Sequence, residues 1–187
     1  MVYSQKLSLV KPENFKELLD ATQLCYRSRR SNLPPKCSHP GCSFLKERNR
    51  IMIKFLMATG CRASELCSLN IMHLDKKRPQ GALKVLGSRA YRGFYLKDPM
   101  FFKELWDFIN KHRVGKNRGK QYVFDGERGK HRNERLTARK LSQILLRLGK
   151  LAKIPGKLTA LSFRRSFATY QHRCGTSLFI IGKALGT

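Results

Sequence analysis

The sequence predicts an α+β domain that is mostly helical, with a small antiparallel β-sheet at one edge. Three observations carry this expectation. Apolar residues recur at helical spacing in several separate segments. One stretch, residues 82 to 96, has apolar runs on either side of a glycine-containing turn and reads as a hairpin. The chain has 187 residues, enough for one domain with its own core, and no internal repeat divides it.

Residues 12 to 30 read as the first helix. Phe15, Leu18, Leu19 and Leu24 form its apolar stripe, Pro12 suits the first turn, and Arg27, Arg29 and Arg30 close it. Residues 31 to 43 are a loop dense in turn formers. Residues 45 to 59 form the most apolar helix and the expected centre of the core. Gly60 interrupts it, and a short helix over 63 to 70 follows. In the hairpin, Leu83, Val85 and Leu86 precede the turn Gly87-Ser88-Arg89-Ala90, and Tyr91, Phe94, Tyr95 and Leu96 come after it.

The next helix spans 99 to 113, with Phe101, Phe102, Leu105, Trp106 and Ile109 turned to the core. Two basic loops, 114 to 120 and 126 to 135, flank the extended Tyr122-Val123-Phe124. Thr137 caps a helix running to about residue 152, which Pro155-Gly156 ends. A helix through Phe163, Phe167 and Tyr170, all expected inward, stops at Gly175. Thr176 starts the last one.

Composition narrows the function. There are 39 Lys and Arg against 12 Asp and Glu, a formal net charge of +27 spread along the chain. Such a chain seeks a polyanion, and nucleic acid is the first candidate. No stretch is long and apolar enough for a membrane span, no basic amphipathic helix carries an aromatic face, and no signal-peptide profile opens the chain. The expected location is an intracellular compartment that holds DNA. The six cysteines read as reduced thiols, with Cys61 and Cys67 as small apolar packers. Cys37, His39 and Cys42, with Cys25, offer zinc-ligand chemistry. Their spacing matches no standard zinc pattern, so an exposed loop without metal is the reading preferred.

Two stretches concentrate the chemistry. In Thr59-Gly60-Cys61-Arg62-Ala63-Ser64-Glu65-Leu66 an arginine sits just past a glycine break, between two helices. An arginine on so rigid a base suits bidentate phosphate binding. Glu65, three residues on, lies on the same helical side and is expected to orient the guanidinium. The second stretch is Leu158-Thr159-Ala160-Leu161-Ser162-Phe163-Arg164-Arg165-Ser166-Phe167-Ala168-Thr169.

Together these stretches resemble the catalytic domain of the tyrosine recombinases, the phage-integrase family. The first is similar to that family's "TGxRxSEL" box and the second to its "HxLRHSFAT" box. Ile180-Ile181-Gly182-Lys183-Ala184-Leu185-Gly186-Thr187 is similar to the approach to "LLGH", and Leu9 to Leu19 to the entry helix. The resemblance covers nearly the whole chain. It implies the tyrosine-recombinase catalytic-domain fold as a single domain over 1 to 187, with 31 to 43 as a loop insertion and no separate N-terminal DNA-clamping domain.

The reaction it implies is a cofactor-free phosphoryl transfer. A tyrosine attacks the scissile phosphate, and two arginines, here Arg62 and Arg164, stabilise its charge. Lys84, Arg89, Arg92 and Arg165 are further candidates for DNA contact. Expected partners are double-stranded DNA and other recombinase protomers on it, with no small-molecule substrate and no membrane.

The chain also departs from the family pattern. The lysine position at the hairpin turn holds Ser88, and arginine nearby is a poor general acid. The histidine three residues before the second arginine is Leu161, and the one after "LLG" is Thr187. Tyr3, Tyr26, Tyr91, Tyr95, Tyr122 and Tyr170 fall on elements other than the one that carries the nucleophile. Tyr91 and Tyr95 are the only tyrosines expected near a bound phosphate, and packing is the role assigned to them. These 187 residues alone are therefore expected to form no covalent DNA adduct. The alternative reading is a degenerate recombinase domain that grips DNA without cutting it.

Overall fold

The computed structural model describes residues 9–24, 42–85, 87, 89–113, 122–125 and 135–187. Its elements are α1 (Pro12–Thr22), α2 (Cys42–Thr59), α3 (Ala63–Ser68), a 3-10 turn (Ile71–His73), β1 (Gln80–Lys84), β2 (Tyr91–Tyr95), α4 (Pro99–His112), α5 (Ala138–Leu151), α6 (Ala160–Arg173) and α7 (Leu178–Leu185). The mixed, mostly helical architecture is the one expected.

The core forms around α2, whose Met52, Ile53, Phe55 and Leu56 are fully buried. This helix is apolar on more than one side because α1, α4 and α6 all pack against it. Phe55 meets Phe94 of β2 and Phe124 edge-on, with ring centroids 5.2 and 6.2 Å away. Helix α5 buries Leu141, Ile144, Leu145 and Leu148 at helical spacing along one side. Thr137 caps it by accepting from the Lys140 amide at 3.2 Å, as expected.

β1 and β2 pair antiparallel, from Gln80 opposite Tyr95 to Lys84 opposite Tyr91. Leu74 forms a single bridge to Gly81 on the other edge of β1. The side chains alternate along β2 so that Arg92 is buried and Phe94 half-buried, while Tyr91 and Tyr95 are 49% and 60% exposed. The packing role assigned to the two tyrosines is thus corrected. A strand flips every side chain when its facing is shifted by one residue, and Tyr-Arg-Gly-Phe-Tyr is ambiguous on that point.

Several boundaries also move. α1 ends at Thr22, short of the expected residue 30, with Gln23 as its C-cap. α3 stops at Ser68, and the 3-10 turn then begins behind Asn70, whose side chain accepts from the Met72 amide at 3.1 Å. On α6, Phe163 is buried and Phe167 half-buried, but Tyr170 is 55% exposed rather than inward. Gly175 ends that helix region at φ +82, a conformation that favours glycine.

Among the described residues no helix is long and apolar enough to cross a membrane. Of the residues considered for zinc, Cys25, Cys37 and His39 lie outside the described residues, and Cys42 is buried at the start of α2. The loops 114 to 120 and 126 to 134 also lie outside them.

Candidate phosphate-binding site

The site is built where α2 ends. Gly60 has φ +58, in the left-handed region, and a Cβ there would lie 2.8 Å from both Leu185 and Phe167. Glycine therefore serves two needs, the turn and the close approach of α6 and α7. Arg62 follows in extended conformation and caps α3, so its side chain leaves the helix end rather than its flank. Arg164 reaches the same place from α6. Its Nη1 donates to the Gly60 carbonyl at 3.2 Å and its Nη2 to the Leu185 carbonyl at 2.7 Å.

Three arginines converge on three successive carbonyls at the C-terminal end of α7. Arg92 Nη1 donates to Ala184, Arg164 Nη2 to Leu185, and Arg62 Nη2 to Gly186 at 3.4 Å. The last carbonyls of a helix have no partner within it and carry the negative end of its dipole. They hold the guanidiniums without neutralising them. Among the described residues Arg62 spends a single side-chain hydrogen bond in this way, so most of its donors stay open. Burial, and then the nearby charge of Arg62, hold Arg164 below the ordinary guanidinium value. Two cations set so close create a strong local preference for an anion.

Glu65 is the acid of the cluster, and its partner differs from the one expected. Its Oε2 accepts from the Arg62 backbone amide at 2.8 Å, fixing the main chain at the cap. Its carboxylate takes Arg92 side-on, with Nε donating to Oε1 at 3.1 Å and Nη2 to Oε2 at 2.8 Å. The guanidinium it orients is that of Arg92. Burial alone would raise the Glu65 pKa, but the bonds from Arg92 and the Arg62 amide outweigh it and hold the carboxyl below its usual range. Arg92 is 8% exposed with all three nitrogens engaged, so it is a brace inside the site and not an open DNA contact.

The thiols beside the site are inert packers, as the sequence suggested. Burial pushes Cys61 and Cys67 up to about 12, far from any thiolate at neutral pH. The entry chain is tied to the same region, with the Val10 amide donating to Ser166 Oγ at 2.7 Å.

A profile of the phage integrase family matches residues 35–186. The chain belongs to the phage integrase family. Among curated relatives, the tyrosine recombinase XerA of Pyrococcus furiosus is 30% identical over 142 residues, covering 75% of this chain and 46% of that protein. The fold matches the crystal structure of XerA recombinase with a TM-score of 0.73 at 21% identity, over 95% of this chain and 55% of the other. It matches XerH site-specific recombinase bound to its difH substrate with a TM-score of 0.72 at 22% identity, over 97% and 48%. The chain spans about half the length of the curated relatives it matches.

Within this phage integrase fold, Arg62 and Arg164 are brought together, while the other candidates are distributed. Lys84 lies at the end of β1, Arg89 in the hairpin turn and Arg165 on α6. All three are exposed, and none has an ion-pair partner among the described residues. Ser88 lies outside the described residues. Leu161, one helical turn before Arg164, is 44% exposed. Thr187 follows the left-handed Gly186 cap, and its Oγ1 donates to the Gly182 carbonyl at 3.3 Å.

Sequence reasoning missed the Glu65–Arg92 pair and the α7 carbonyls. The first had a faint signal, an arginine at alternate spacing from Phe94. The second had none in residue type, because backbone atoms carry it.

Proposed function

We propose that this domain binds double-stranded DNA and serves site-specific DNA breaking and rejoining, with one backbone phosphate held between Arg62 and Arg164. The observation that carries the reading is their convergence on adjacent carbonyls at the end of α7 from positions 102 apart in the sequence. Two guanidiniums held on neighbouring carbonyls suit the non-bridging oxygens of one phosphodiester and would offset the charge that grows on them in phosphoryl transfer. Arg92 and Glu65 act behind them as positioning residues. Lys84, Arg89 and Arg165 extend the contact to neighbouring phosphates.

XerH is named as bound to its difH substrate, and lambda integrase as a dimer on a core site. By that likeness the partners proposed here are duplex DNA and further protomers on it. The setting is a compartment that holds DNA.

The test is equilibrium binding to a labelled duplex across a salt series. With six or more phosphates contacted, affinity falls about a thousandfold between roughly 50 and 200 mM salt, because condensed counterions are released. A flat response removes DNA as the partner.

A further inference from the structure

The outer face of the hairpin carries none of Arg62, Arg164, Arg92 and Glu65; of the duplex-contact candidates, Lys84 stands at its end and Arg89 in the adjoining turn. On it stand Lys84, Ala82 and Gln80 of β1 opposite Tyr91, Gly93 and Tyr95 of β2. The two tyrosines are among the most exposed aromatic side chains described, at 49% and 60%. Between them Gly93 leaves the surface open, since a Cβ there would meet only the Gly81 carbonyl, at 4.0 Å. Four strand residues place Tyr91 and Tyr95 about 13 Å apart.

The face is shaped rather than merely exposed. The His73 ring meets Tyr91 edge-on, with centroids 5.0 Å apart. That contact limits the orientation of the Tyr91 ring. A hollow of about 760 Å³ opens there, with Met72, His73, Gln80, Ala82, Tyr91 and Gly93 in its wall. Lys84 stands exposed directly across from Tyr91, and further exposed cations flank the two strands in sequence at Lys76, Lys77, Arg78 and Arg89. The acid in the wall, Asp75, has its carboxylate occupied by the Lys77 and Arg78 amides and by Gln80.

We propose that this face is a stacking platform for unpaired nucleotides. Exposed aromatic rings beside uncompensated cations match a strand whose bases are free to stack and whose phosphates need neutralising. A paired duplex hides its base faces, so the platform favours single strands. A cut strand passing from one duplex to another goes through such an unpaired state. The inference concerns a different surface from the arginine site and a different form of DNA.

The test uses the whole 187-residue chain and fluorescently labelled oligonucleotides. Three probes are compared: a short oligothymidylate, an abasic strand of the same length, and a duplex. The wild type binds oligothymidylate more tightly than the abasic strand. Tyr91→Ala and Tyr95→Ala each lower oligothymidylate affinity about fivefold or more. They leave the abasic strand and the duplex unchanged, and Tyr→Phe at either position restores binding.

Because both rings are exposed, the alanine variants keep their fold, which a thermal melt checks. Equal wild-type affinity for the base-bearing and abasic strands overturns the proposal. So does an unchanged affinity in the double alanine variant. A proline-rich peptide binding this face, with the oligonucleotide failing to compete, assigns it to protein and overturns the proposal as well. Duplex affinity weakened on changing Arg62 and Arg164 but unchanged in the tyrosine variants separates this test from that of the phosphate site.

Discussion

Glu65 and Arg92 set the stakes at the residue scale. Both are nearly inaccessible, and each satisfies the other through two hydrogen bonds. Removing one partner strands a buried charge, which costs about 3–5 kcal/mol. Glu65→Gln should therefore lower the melting temperature by roughly 6 °C or more for a chain of this size. Arg164→Ala should leave the fold intact and reduce duplex affinity only several-fold, since many cations share that work.

The acid side of the pH profile follows from the same pair. The Glu65 carboxyl is held below its ordinary value of 4.5. A depressed carboxyl pKa gives stability that is complete above the unfolded value and lost as pH falls through the folded one. Melts across pH 6 to 3 should show the wild type losing stability below about 4.5, by more than Glu65→Gln loses over the same range.

Among the elements, the junction of α2, α6 and α7 matters most. It was legible in part. Gly60 announced a break, and the apolar run before it announced the central helix. What no residue type announced is how closely α7 comes to that break, because the contact is made by Leu185 and by backbone carbonyls. Gly60→Ala forces a side chain into the left-handed region and against Leu185 and Phe167 at 2.8 Å. It should destabilise the domain by about 1–3 kcal/mol, the usual range for strained backbone. Duplex affinity should fall further than in Arg164→Ala, because displacing α7 releases all three arginines from their common anchor. A melt and a binding titration on one preparation check both parts. Hydrogen exchange at α7 amides would also quicken.

The hairpin shows where sequence reasoning divided. Its existence was readable from apolar runs around a glycine turn, but its facing was not. With Tyr91 and Tyr95 turned in, Arg92 faces DNA; with Phe94 and Arg92 turned in, the tyrosines face solvent. A buried partner for arginine decided the matter, and Glu65 is 27 positions away.

At the scale of the whole molecule, a net charge of +27 favours a polyanionic partner, whatever the details of the site, and the proposed one is DNA. The family boxes added what charge alone does not: which two arginines, 102 positions apart in sequence, belong together. Their meeting at the end of α7 is the centre of this account. A double-mutant cycle on duplex affinity tests it most directly, using Arg62→Ala, Arg164→Ala and the double variant across a salt series. If both arginines hold one phosphate, the losses are non-additive, with a coupling of about 0.5–3 kcal/mol. The log–log salt slope of the double variant should then fall by about 1, the value for one lost phosphate contact. Strictly additive losses, with the slope falling by about 1 for each arginine, would place them on separate phosphates and contradict the account.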